Sequence, residues 1–277
     1  MAGMEAATGR SRRDAPVTRL GSAEKTLIVA PGFTTQTVDA EGLVLQGMMR
    51  AFEDYLSEYT VIIAGRSEES AASGNIDLIA DELLDLIDEL GLDPGQTGLV
   101  GNSLGGMIVL HAAARAKTAF SGLAVVSAAA RLTPEGRELL SQVRALAEQE
   151  AWRRVAFLMT AHLFPNRVAA TLYGSIAWLV PALFGVPEEP DAFIGLVDSA
   201  IEIDLEEELD GVASPVILVA GDQDHFFGPA EVELTAERLA DVELKQFPGS
   251  GHGLGREKAD QIDGMIRRFF RERMSRD

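Results

Sequence analysis

Ser103 is the residue around which covalent chemistry can be organised. It stands in Gly101-Asn102-Ser103-Leu104-Gly105, after a short apolar run and before a helical one. A serine on a sharp strand-to-helix turn presents its hydroxyl for attack. The strained backbone leaves no room for side chains two positions to either side, where the glycines stand. The bland alternative is a glycine-rich turn that cradles a phosphate, but neither G-x-G-x-x-G nor a Walker G-K-[ST] ending is present.

A serine hydroxyl needs a base, and the chain offers four histidines. His111 lies eight residues beyond Ser103 on the same helical run, about 12 Å along its axis at 1.5 Å per residue, too far to take its proton. His162 lies in the long helical stretch from Arg131 to Leu209, and His225 follows the end of the fifth strand run. His252 sits in Gly249-Ser250-Gly251-His252-Gly253, just after the last strand-like run. A glycine-rich loop there can fold back over the edge at which Ser103 emerges. A base of this kind needs a carboxylate to fix its tautomer. Val216–Ala220 ends in Gly221-Asp222-Gln223-Asp224, and either aspartate can serve; both can also simply cap the loop.

These residues need a frame. Lys25–Ala30, Tyr59–Ala64, Thr97–Val100, Leu123–Ser127 and Val216–Ala220 are short apolar runs with strand character, and Glu243–Phe247 reads as a sixth strand. Helical spacing fills the gaps at Leu45–Tyr55, Ile76–Leu90, Met107–Lys117, Ala230–Leu239 and Ala259–Arg271. Such alternation predicts an α/β fold: a mostly parallel central sheet with helices on both faces. Between Arg131 and Leu209 the alternation fails, which predicts a helical cap inserted between two core strands. Both tryptophans, Trp152 and Trp178, lie in it, as do Phe157, Phe164, Tyr173, Phe184 and Phe193. The expected division is a mobile tail over 1–22, a core over 23–130 and 210–277, and a cap over 131–209.

Composition narrows the classes of partner. The chain has 277 residues, 47% of them hydrophobic, enough for one sizeable core. A net charge of -19 repels phosphate backbones and anionic headgroups, so nucleic acid and membrane surfaces are poor partners. There is no cysteine, so no thiol nucleophile and no disulfide, which fits a reducing cytoplasm. The N-terminal stretch carries Arg10, Arg12, Arg13 and Arg19 without an apolar core and does not read as a secretory signal. Ile176–Val186 is apolar but too short for a span, which takes about 20 residues. No metal-ligand spacing is legible and no cofactor is implied.

From about Glu24 to Arg271 the chain resembles the α/β-hydrolase superfamily. The motifs that carry the resemblance are Pro31-Gly32-Phe33 after the first strand run, Gly101 to Gly106, Pro215 to His225, and Gly249 to His252. The resemblance implies Ser103 as nucleophile, His252 as base and Asp224 as the acid that closes a G-x-x-D run, with the backbone N–H groups of Phe33 and Leu104 forming an oxyanion hole. It implies acyl transfer to water at an ester-type bond. The aromatic cap predicts a small apolar substrate, with Trp152, Phe157, Trp178 and Phe184 of the cap and Phe226 of the core as the expected pocket residues; the same cap aromatics can instead simply pack on the core. Alternatives that share the fold stay open: a C–C bond hydrolase, a thioesterase, an acyltransferase, or a non-catalytic ligand-binding sensor. The chain departs from the family in having Pro31-Gly32 where His-Gly is usual. Its N-terminus also reads as too short for the antiparallel hairpin that opens many members.

Overall fold

The computed structural model describes residues 5–33, 40–179 and 190–274. Eight strands form one sheet: β1 (Ala6–Arg10), β2 (Pro16–Leu20), β3 (Thr26–Ala30), β4 (Thr60–Ala64), β5 (Thr97–Asn102), β6 (Gly122–Val126), β7 (Val216–Gly221) and β8 (Val242–Phe247). Their order is β1-β2-β4-β3-β5-β6-β7-β8. Strands β3 to β8 run parallel, while β1 and β2 are antiparallel to their neighbours.

The apolar runs of β3 to β7 are continuous because both faces of these parallel strands are covered. Ile28, Ile62, Leu99, Val125 and Leu218 point to one side, against α3 (Ile76–Glu89) and α4 (Leu104–Arg115). Their neighbours Leu27, Val61, Ala124, Ile217 and Val219 point to the other, where α11 (Ala259–Met274) lays Ile262, Ile266, Phe269 and Phe270 on the sheet. Helix α4 is buried from Leu104 to Ala113, so it sits at the centre of its layer rather than at the surface.

The chain turns one way from β3 to β4, then crosses back to place β5 on the other side of β3. The loops after β3 and β5 therefore diverge at the same sheet edge. Open α/β sheets bind ligands at such a switch point, and here it lies between Pro31–Phe33 and Ser103.

Two expectations about the N-terminus are corrected. Residues 6–20 are a β-hairpin, not a mobile tail, and the chain is long enough for the antiparallel opening. Strand β2 alternates inward Pro16, Thr18 and Leu20 with an exposed Arg19, and pairs Val17 with Ala64 of β4. The arginines that read as a tail hold the turn: Arg13 pairs with Asp85 on α3, and the Arg12 N–H donates to Glu89 at 2.8 Å. Strand β1 is exposed along its whole length, so it has no apolar pattern to read.

Between β6 and β7 the described residues form helices α5 (Pro134–Ala147), α6 (Trp152–Ala161), α7 (Arg167–Leu179) and α8 (Pro190–Glu202), with no strand among them. A lone bridge between Arg131 and Asp204 closes the base of this insertion. The insertion is tied to the core at two points near the sheet edge. The Thr133 hydroxyl donates to the His225 carbonyl at 2.6 Å, and the Gly253 N–H donates to the Leu163 carbonyl at 2.7 Å. Helix α8 packs on α2 (Glu68–Ser73) of the core. No helix among the described residues is long and apolar enough to cross a membrane.

Candidate active site

Ser103 ends β5 and begins α4 with φ 56° and ψ -126°. A non-glycine residue there carries strain of about 1–3 kcal/mol, which the surroundings must enforce. They do so by closeness. A Cβ on Gly101 would lie 2.2 Å from the Gly105 carbonyl oxygen, and one on Gly105 would lie 2.1 Å from that of Ala30. The Ser103 N–H is fixed to the Val126 carbonyl at 2.9 Å. Strand and helix can approach this tightly only with glycine at both positions, and the approach aims the hydroxyl out of the turn.

The loop after β8 brings His252 to it: Nε2 is 2.9 Å from the Ser103 Oγ. On the other side of the ring, Nδ1 is 2.8 Å from Oδ2 of Asp224. Asp224 is buried, and its Oδ1 accepts the N–H groups of Phe226 at 2.8 Å and Phe227 at 3.1 Å. With its other oxygen occupied by two donors, the carboxylate accepts a hydrogen bond from the Nδ1–H of the imidazole through Oδ2 and so fixes the proton on Nδ1. That leaves the Nε2 lone pair facing the serine hydroxyl. Phe226 and Phe227 flank the ring, with centroids 4.7 Å and 5.8 Å from that of His252, and shield its hydrogen bond to Asp224 from water.

Asp222 does different work. It is exposed, and its Oδ1 accepts the Gly249 N–H at 2.7 Å, which holds the start of the histidine loop. The other histidines do not meet Ser103. Buried His111 bonds Asp77 at 2.7 Å, His162 bonds the Leu158 carbonyl at 2.8 Å, and His225 sits 3.1 Å from Glu135.

The two expected oxyanion donors lie on either side of the turn. Leu104 is the first residue of α4, where an N–H has no acceptor within the helix. Phe33 follows Gly32, whose Cβ, if present, would be 2.9 Å from the Asn102 carbonyl oxygen and 3.5 Å from the Ser103 Cβ. Among the described residues the Phe33 N–H has no hydrogen-bond acceptor.

The expected pocket residues separate into groups. Phe226 touches His252. Trp152 reaches the site through Phe193 of α8, whose ring is 5.8 Å from Trp152 and 5.7 Å from Phe33. Among the described residues Phe193 is thus the aromatic of the insertion whose ring meets Phe33, and an even scatter of aromatics through the insertion gave no reason to single it out. Phe157 and Trp178 go elsewhere. They line an open groove of about 400 Å³ with Gln142, Leu146, Arg154 and Leu158. That groove is lined by none of Ser103, His252 and Asp224, and both rings are exposed on the packed pair of α6 and α7. Phe184 lies outside the described residues. Sequence reading also passed over Arg66, which follows β4 and is buried beside the Phe33 loop.

Comparison with known proteins agrees with this frame. A putative carbamate hydrolase, RutD, from Caulobacter sp. (strain K31) is 25% identical over 228 residues, 82% of this chain and 83% of the relative. The crystal structure of MGS-M2, an alpha/beta hydrolase enzyme from a Medee basin deep-sea metagenome library, superposes with a TM-score of 0.76 at 18% identity, covering 95% of this chain and 97% of that one. The enol-lactonase from Burkholderia xenovorans LB400 gives 0.72 at 16% identity, covering 96% and 95%. Residues 24–262 match the model of the alpha/beta hydrolase family, and the chain belongs to that family.

Proposed function

We propose that this protein is a serine hydrolase that cleaves an ester-type bond of a small apolar substrate through an acyl-enzyme at Ser103. The observation that carries the reading is the unbroken chain from Asp224 through His252 to Ser103 at 2.8 Å and 2.9 Å. In the first half-reaction the Ser103 Oγ attacks the carbonyl carbon while His252 Nε2 takes its proton. The carbonyl oxygen gains the negative charge and is met by the N–H groups of Phe33 and Leu104. Each such donor is worth about 3 kcal/mol in the transition state. His252 then gives its proton to the leaving oxygen. In the second half, water enters, loses a proton to His252 and releases the acid, and the proton returns to Ser103. Asp224 stays ionised and steadies the imidazolium.

Phe33 follows Gly32 at the Ser103 turn, its ring meets that of Phe193, and Phe193 meets Trp152; these apolar rings support an apolar acyl group, with α8, packed on α2, as the proposed cap over it. The absence of cysteine and the acidic surface fit a cytoplasmic enzyme acting on small molecules rather than on nucleic acid or membrane. A second reading, a carbamate substrate, is favoured by the relative that bears that name. The same machinery serves it, with His252 delivering its proton to a leaving nitrogen.

Steady-state assays on nitrophenyl esters and on an alkyl carbamate test both. The ester reading expects turnover of the esters that Ser103→Ala abolishes. Turnover of the carbamate alone would replace the first reading with the second, and turnover that survives Ser103→Ala would remove both.

A further inference from the structure

Arg66 is 5% exposed and belongs to no part of the Ser103–His252–Asp224 chain. A buried guanidinium is costly to desolvate and persists only where it holds something. What it holds is the loop after β3: its terminal nitrogen donates to the Pro31 carbonyl at 2.6 Å and to the Gly32 carbonyl at 2.9 Å. Among the described residues these are its hydrogen bonds, and its Nε has no acceptor. Glu82 supplies the countercharge nearby, itself held by the Ser67 and Ser70 hydroxyls at the start of α2. Burial lowers the guanidinium only to about 10, so it is cationic throughout the neutral range.

The geometry of the peptide unit turns this contact into a consequence for catalysis. No peptide bond among the described residues is cis, and in a trans peptide the C=O and the following N–H point in opposite directions. The Gly32 carbonyl points at Arg66, so the N–H of the same peptide unit, that of Phe33, points away from Arg66. Gly32 itself lies against Ser103. Pro31, which has no N–H of its own, is pinned by the same nitrogen one residue earlier. We infer that Arg66 is a positioning residue for the oxyanion hole: by fixing the Pro31 and Gly32 carbonyls it sets the Phe33 N–H toward the oxygen of the substrate carbonyl. The inference rests on the hydrolase reading above.

Oxyanion donors act on charge that develops in the transition state, so loosening one lowers kcat and spares KM. The test uses Arg66→Lys, which keeps the charge but shortens the reach, and Arg66→Met combined with Glu82→Gln, which leaves no buried carboxylate without its partner. Active sites are first counted by fluorophosphonate titration, so that misfolded protein drops out. On nitrophenyl butyrate, kcat per titrated site is expected to fall roughly 10- to 100-fold in the double variant, within the loss seen when a whole donor is removed. Lysine is expected to restore part of it, and KM to move little. Inhibition by an aryl trifluoromethyl ketone reads the hole directly: the Ser103 Oγ adds to the ketone carbon, His252 takes the proton, and the ketone oxygen becomes an oxyanion. Its affinity is expected to weaken by the same factor as kcat. Unchanged kcat and unchanged ketone affinity per titrated site would overturn the inference and leave Arg66 a packing residue. Wild-type protein that neither titrates nor turns over the ester would instead overturn the hydrolase reading, and the inference with it.

Discussion

Asp222 and Asp224 stand two residues apart at the end of β7, and their surroundings give them opposite prospects. Asp224 is buried, accepts two backbone N–H groups and reaches His252; Asp222 is exposed and ties down Gly249. Asp224→Asn is expected to lower kcat by about 10⁴, because an amide in that place favours the wrong imidazole tautomer. Asp222→Asn is expected to cost less than about tenfold, since an amide oxygen can still accept from Gly249. Steady-state kinetics of the two variants decide it, and equal losses would show that the orienting carboxylate has been misassigned. Ser103 and His252 were legible because chemistry and backbone strain both constrain them: a glycine on each side of the serine, a glycine-rich loop around the histidine. Which aspartate reaches the ring was not fixed by spacing alone, because a two-residue offset in a loop can face either way. Arg66 left no trace at all, since a single arginine after a strand has no periodicity and no partner in sequence.

At the scale of elements, β3 to β7 were visible because they are buried on both faces and form short apolar runs, whereas the edge strand β8 is only partly buried and mixes Glu243, Lys245 and Gln246 with its apolar residues. The hairpin was hidden for the converse reason. An exposed edge strand such as β1 needs no apolar side chains, and the arginines in its turn answer to acids on α3 some seventy residues away. The insertion was visible as missing strands, but the direction of its aromatics was not, because helical pairs such as α6 and α7 can present either face to the core. Phe193 carries the contact with the Phe33 loop. Phe193→Leu, which keeps the site apolar but removes the ring, is expected to shift the preferred nitrophenyl ester by one or two carbons towards longer acyl chains. Each buried methylene is worth about 0.8 kcal/mol, roughly fourfold in kcat/KM. A chain-length profile identical to that of the wild type would place the acyl pocket elsewhere.

For the whole molecule, a net charge of -19 opposes the approach of anionic substrates. Esters bearing a free carboxylate are expected to show lower kcat/KM than neutral esters of the same length. Raising ionic strength from 10 to 150 mM, which shortens the screening length from about 30 to about 8 Å, is expected to raise kcat/KM for the anionic ester only. An equal response of both esters would mean that the surface charge does not bear on substrate approach. The nucleophilic role of Ser103 turns on one atom, its Oγ held 2.9 Å from His252. It is tested most directly by treating the folded protein with a fluorophosphonate and mapping the adduct by peptide mass spectrometry. The expected result is a single phosphonyl group on Ser103, absent from Ser103→Ala; an adduct on another residue, or none while ester turnover continues, would contradict it.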